Sequence, residues 1–306
     1  MIGREFVMNV KELYIEQSVN MIYEYIFKNL KESYLAIFLC GGASYKGIKS
    51  LRDKLKLLIE RPRKYQIPMR VFYPEDLLID ALNKSKTADL LSYERFLADN
   101  SDIIAIVCES PGSLVELGAF VNSEYTMKKV IALIDKKFSK DKSFIMLGPV
   151  KYLEKSGHQN VIFYSTDEIA TYEMLVKCIK EKIGKRVVPK RLEIQSIVGM
   201  HYFIQLLLYF FKILDSVELS ILIKGIANKY DKKIEEFDLV FQAALKLLFH
   251  EDSIVRITGN KITEYQLTEK GHGEIMKMIN RCTNAYQCDK IRVNIMYSQY
   301  YRTPRS

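Results

Sequence analysis

Five short apolar runs, separated by helix-like stretches, limit what the first part of this sequence can fold into. They are Tyr34–Cys40, closed by Gly41-Gly42; Met69–Tyr73, closed by Pro74; Ile103–Cys108; Val130–Ile134; and a weaker Val161–Tyr164. Runs this continuous, without polar alternation, suit strands covered on both faces, and such strands are usually parallel. Residues 48–60 follow the first run, 90–98 precede the third and 114–127 follow it, all helix-like. Strands alternating with helices predict an α/β fold with a doubly wound parallel sheet of about five strands. Ligands of such sheets sit beyond the carboxyl ends of the strands. The loops after Cys40, Tyr73 and Cys108 are therefore the places to look for chemistry.

The pattern changes near Lys185, where Lys185, Arg186, Lys190 and Arg191 surround Pro189. This basic stretch divides the 306-residue chain into an expected catalytic domain, 1–186, and a second domain, 187–306. The helical segment at 11–30 falls in the first by position. The second domain opens with a broad apolar stripe, Phe203, Leu206, Leu207, Phe210, Ile213 and Leu214, which suits a core or a dimer seam. Helical stretches at 219–229 and 234–249 follow. Residues 254–257 and 262–267 then flank a Gly259-Asn260 turn and read as a hairpin. Helices, a hairpin and a last helix make a winged helix-turn-helix pattern.

A formal net charge of +9 asks for a polyanionic partner, since cations that meet phosphates release counterions. Near the end of the chain Lys290, Arg292, Arg302 and Arg305 are interspersed with Tyr297, Tyr300 and Tyr301, a mixture that neutralises phosphates and stacks on bases. A solvated, frayed tail has the same composition. Five cysteines at long spacings, with no CxxC, do not suggest disulfides or structural zinc. The longest apolar stretch, 198–211, is too short and too polar to span a bilayer, and no leader-like segment is visible. A cytoplasmic protein with no metal, no membrane association and no bound cofactor is expected.

The segment richest in chemistry is 109–120, Glu-Ser-Pro-Gly-Ser-Leu-Val-Glu-Leu-Gly-Ala-Phe, directly after the third strand. Pro111 and Gly112 supply a turn, Ser113 is placed to cap the next helix, and Glu116 falls in its first turn. Ser113 and Glu116 also have capping-box spacing, which would account for both residues without catalysis. Glu109 and Ser110 lie where a substrate would meet the strand end. After the second strand, Tyr73, Glu75 and Asp76 stand at another strand end, where such residues either meet a ligand or cap a helix. Gly41 and Gly42 let a ligand approach the backbone, or simply make the turn.

This segment resembles the nucleoside 2-deoxyribosyltransferase family, whose nucleophile is the glutamate of a Glu-Leu-Gly motif, matched here by Glu116-Leu117-Gly118. The resemblance implies that Glu116 attacks an anomeric carbon and forms a glycosyl intermediate, chemistry for which a carboxylate is suited. It also implies an acid on the helix before the third strand, where Glu94 stands in place of the usual aspartate. The family often completes its site from a neighbouring subunit, which implies a homo-oligomer or a higher assembly. The runs 72–77 and 109–120, Ser143-Phe144, Gly148-Pro149-Val150 and the winged-helix pattern together resemble the effector proteins of certain retrons. That resemblance implies a toxic N-glycosidase, with NAD as substrate rather than cofactor. It also implies control by a reverse transcriptase with its multicopy single-stranded DNA and RNA, in defence against phage. Two other readings remain open: a nucleic-acid-binding regulator whose sheet domain senses a nucleotide without turnover, and a sugar-transferring housekeeping enzyme. The basic C-terminal domain disfavours the latter.

Overall fold

The computed structural model describes residues 10–31, 34–61, 68–75, 96–184, 191–234, 236–258 and 263–300. The chain forms two compact units, Ser33–Pro189 and Met1–Glu32 with Lys190–Ser306.

The first unit is an α/β sandwich around a parallel sheet. Its strands are β1 (Leu35–Cys40), β2 (Met69–Phe72), β3 (Ile103–Val107), β4 (Val130–Asp135) and β5 (Val161–Tyr164). They lie in the order β2-β1-β3-β4-β5, every pairing parallel. Chain direction across the sheet reverses between β1 and β3, the switch point where a doubly wound sheet opens its crevice.

The pleat sends alternate side chains to opposite faces. Ile37, Leu39, Val71, Ile103, Ala105, Val107, Ile131 and Leu133 face one core. There they meet Leu55 and Ile59 of α2 (Leu51–Ile59) and Leu175, Val176 and Ile179 of a later helix, Glu168–Ile183. Phe38, Cys40, Ile104 and Ile106 are buried on the opposite face. Helix α3 (Pro111–Asn122) buries Ser113, Leu117, Phe120 and Val121 and packs against β3 and β4. A short helix, α4 (Glu124–Met127), follows it, so the predicted single helix 114–127 is broken at Ser123, an extended residue.

The N-terminal helix α1 (Val10–Met21) belongs with the second unit, which corrects its expected place in the catalytic domain. Side-chain packing explains this. Tyr14 stacks on Tyr297 at 5.5 Å between ring centroids, and Phe27 meets Phe203 edge-on at 5.1 Å. The remaining main helices of the chain, labelled in order after α5 (Lys151–Ser156) and α6 (Glu168–Ile183), are α7 (Ile197–Phe211), α8 (Ser216–Lys229), α9 (Phe237–His250), α10 (Glu269–Cys282) and α11 (Ala285–Tyr300). A three-stranded antiparallel sheet, β6-β8-β7, is built from β6 (Ile213–Asp215), β7 (Ile254–Thr258) and β8 (Thr263–Leu267). Residues 197–210 of α7 are all buried, so the apolar stripe is the core of this unit. Ile213 and Leu214, expected to continue that stripe, form the edge strand β6 instead. Among the described residues no helix is long and apolar enough to cross a membrane.

Helix α7 starts under tight constraint. Ser196 caps it by accepting from the Gly199 amide at 3.0 Å, and a Cβ on Gly199 would overlap the Glu193 carbonyl. Gly199→Ala is therefore expected to cost about 1–3 kcal/mol through forced backbone movement, read as a lower urea midpoint.

Candidate active site

Cys40 is the last residue of β1 and pairs in register with Ile106 of β3. It projects to the α3 face and is buried. There its thiol lies close to the carboxyl of Glu116. Burial, with the nearby Glu116 and Glu75 charges, raises the Cys40 thiol well above its usual range, so it stays protonated. Burial likewise raises Cys108, just past β3, to about 12.

Helix α3 is capped without Glu116. Ser110 is the N-cap and its hydroxyl accepts from the Ser113 amide at 3.2 Å, while Ser113 Oγ accepts from the Ser110 amide at 3.1 Å. Pro111 occupies the first helical position, where its missing N–H is harmless. The expected cap, Ser113, is thus the third helical residue and is buried, and Glu116 lies in the second turn. This corrects both the cap and the capping-box alternative: the glutamate is too far along the helix to satisfy the terminal amides. Its carboxyl is held at about 7, above the ordinary value, first by burial and then by the charge of Glu75. Arg52 and the Cys40 thiol oppose that shift.

Arg52, on the first turn of α2, was not anticipated from the sequence. Its side chain is buried. It donates to the Gly41 carbonyl at 3.1 Å, pairs with Glu75, lies 3.5 Å from Asp53, and stacks on the Tyr73 ring with 4.1 Å to the centroid. The Tyr73 hydroxyl donates to Asp53 at 2.7 Å, and Ser44 donates to the same carboxylate. Tyr73 therefore has its hydroxyl bonded to Asp53 and its ring against Arg52.

The Glu109 carboxylate lies close to Gly42 and to the first residues of α2, Leu51 and Arg52, whose influence opposes a burial that raises it. Gly41 adopts φ +149°, and a Cβ there would crowd Val107 and Arg52 at 3.1–3.3 Å; one on Gly42 would press on Glu109 at 3.4 Å. Gly112 is exposed in the first turn of α3. Asp76 and Glu94 lie outside the described residues. The structure thus gathers Glu116, Cys40, Arg52 and Glu75 at the carboxyl ends of β1 and β2. The signal for Arg52 was slight: it is one of three cations, with Lys54 and Lys56, in the helix after a glycine pair.

In the second unit Lys290 is exposed on α11. Arg292 donates to Asp289 at 2.9 Å and to the Tyr209 hydroxyl at 3.1 Å, so its guanidinium is engaged within the unit. The expected tail is helical through Tyr300, whose ring is exposed; Arg302 lies outside the described residues. Among the described residues no cluster of three or more His, Cys, Asp or Glu side chains is arranged to hold a metal.

Because burial holds Glu116 near 7, the folded chain retains a proton that the unfolded chain, at about 4.5, releases. This group's contribution to stability is complete below about pH 4.5 and is lost as pH rises through about 7. Glu116→Gln cannot ionise, so it should exceed the parent in stability at pH 8 by roughly 1–3 kcal/mol and match it at pH 4. Equal urea midpoints at both pH values would contradict a buried carboxylate.

Comparison with known proteins agrees with this architecture. Residues 48–256 match the family described as STM3845 retron effector protein. The Escherichia coli protein named "Retron Ec86 putative ribosyltransferase/DNA-binding protein" is 31% identical over 277 residues, covering 86% of this chain and 84% of that protein. A second Escherichia coli protein, from retron Ec73 and with the same description, is 36% identical over 127 residues, 40% of this chain and 39% of the relative. By the extent of both the family match and the Ec86 similarity, this chain belongs to the retron effector family.

Proposed function

We infer that the sheet unit is a deoxyribosyltransferase-like enzyme that cleaves the N-glycosidic bond of a nucleotide, with Glu116 as nucleophile. The observation that carries this reading is that Glu116 is released from capping, half-buried at the strand ends and placed near Cys40 and Arg52. A Glu116 oxygen forms a bond to C1′ of the sugar as the C1′–N bond breaks, and the bonding pair leaves with the base. Water then attacks C1′ and frees the carboxylate. A carboxylate suits a transition state of oxocarbenium character, which it stabilises and then traps. NAD is the substrate of choice in this reading, because nicotinamide departs as a neutral base from a cationic ring and needs little acid assistance. The positive ring would also favour the ionised form of a carboxyl poised near 7.

In the same reading the second unit is a winged helix-turn-helix. The order α7, β6, α8, α9, β7, β8, with a hairpin completing a three-stranded sheet, supports it. The names of the two Escherichia coli relatives join ribosyltransferase to DNA-binding protein, and both halves of that description suit these two units. The unit would dock on the retron's reverse transcriptase and its multicopy DNA, which restrain the toxic activity until phage infection. Self-association of the chain belongs to this proposal as well.

Glu116→Gln should lower nicotinamide release from NAD by at least ~10³-fold while leaving the fold intact. Full turnover in that variant would remove Glu116 from the mechanism. For the parent, activity is expected to rise with pH through about 7 as the carboxyl ionises. For the second unit, Lys290→Ala should weaken single-stranded DNA binding and reduce its salt slope by about one unit. Arg292→Ala, already paired internally, should change stability more than affinity, as separate binding and unfolding titrations would show.

A further inference from the structure

The site as built is rich in carboxylates. Glu116, Glu75 and Glu109 stand with one guanidinium, Arg52, which is already shared with Glu75 and the Gly41 carbonyl. A phosphate-bearing substrate entering this mouth meets net repulsion unless cations on the rim compensate.

Sheet register places such cations. Val107 of β3 pairs with Leu133 of β4. The Cys108 amide also bonds the Leu133 carbonyl, so the chain after β3 and the chain after β4 leave the sheet side by side at the same edge. Asp135 in turn pairs with Tyr164 of β5. The Tyr164 phenol is raised to about 12, first by burial and then by the charges of Glu109 and Asp135, so both carboxylates lie near it. The segment that follows Asp135 thus rises beside the Glu109–Ser113 turn, on the carboxyl edge of the sheet.

That segment is Lys136-Lys137-Phe138-Ser139-Lys140-Asp141-Lys142-Ser143-Phe144, and every residue of it is exposed. Lys137 is neutralised by Asp135 at 2.9 Å and lies over the Phe138 ring. Lys136, Lys140 and Lys142 have no ion-pair partner among the described residues. A following turn, Met146–Val150, packs against α3 and ties the loop to the helix that bears Glu116.

We propose that the 136–142 loop is the phosphate-binding rim of the Glu116 site, so that the enzyme takes phosphorylated nucleotides in preference to free nucleosides. This rests on the glycosidic-cleavage reading for its site, but binding can be tested apart from turnover. Lysine ammonium groups bind phosphate as mobile point charges. Such contacts act on ground state and transition state alike, and so appear in KM rather than kcat.

The experiment compares the full chain with a Lys136→Ala/Lys140→Ala/Lys142→Ala variant. NAD, AMP and adenosine serve as probes, in turnover assays and in calorimetric titration of the Glu116→Gln protein. The expected result is a rise of about tenfold or more in KM for NAD, with kcat within about twofold. A matching loss of AMP affinity and unchanged adenosine affinity complete it. Equal effects on AMP and adenosine, or none, overturn the proposal. So does transfer of the whole effect to Lys46→Ala, on the loop after β1. A loss confined to oligonucleotide binding overturns it too, and assigns the loop to nucleic acid. If the parent turns over none of the probes, the cleavage reading fails, while the AMP titration still decides the rim.

Discussion

Arg52 carries a full positive charge into a place with little water, and the arrangement of the strand ends follows from satisfying it. A guanidinium in such surroundings must be paired on its several donor directions or its desolvation is ruinous. Here Glu75, Asp53, the Gly41 carbonyl and the Tyr73 ring share it. Those four groups come from β1, α2 and the residues after β2, so one side chain fixes three pieces of chain against each other. It also lets Glu75 and Glu116 coexist, since two close carboxylates without a cation cannot both ionise. Removing Arg52 would do more than delete a contact: it would leave the half-buried Glu75, Asp53 and Glu116 without their cation.

The arrangement also shows how two groups of modest reactivity become a prepared site. A thiol raised by burial stays protonated and does not serve as a nucleophile. A glutamate raised to about 7 is neither a permanent anion nor a permanent acid at neutral pH. Its charge state answers to whatever enters. The same desolvation that raises it would strengthen its attraction to a cationic ring, since both act in low dielectric.

Much of this was legible in the sequence, and what was not has particular causes. The strands could be read because burial on both faces leaves an uninterrupted apolar run, and Val161–Tyr164 falls where its run predicts. Position after β3 marked the Glu116 loop. The cap was misplaced by three residues because both Ser110 and Ser113 suit it, and Pro111, read as a turn former, is equally at home in a first helical turn. Arg52 was invisible because a cation in the first turn of an amphipathic helix is usually solvated; only the fold brings Glu75 to it. The N-terminal helix went to the wrong unit because sequence order says nothing of which core an apolar face will join. Glu109 and Tyr73 lie at the strand ends as read, and the bond from Tyr73 to Asp53 could not be read because it joins residues twenty positions apart.

The reciprocal serine cap on α3 has a consequence beyond geometry. The helix end is complete in itself, so the residue one turn further along is held by nothing the fold requires. Natural variants that lose the acid there would keep their shape and their surfaces. Such a chain would present the same folded surfaces and lack only the carboxylate, so that shape and chemistry separate at this position by a single substitution.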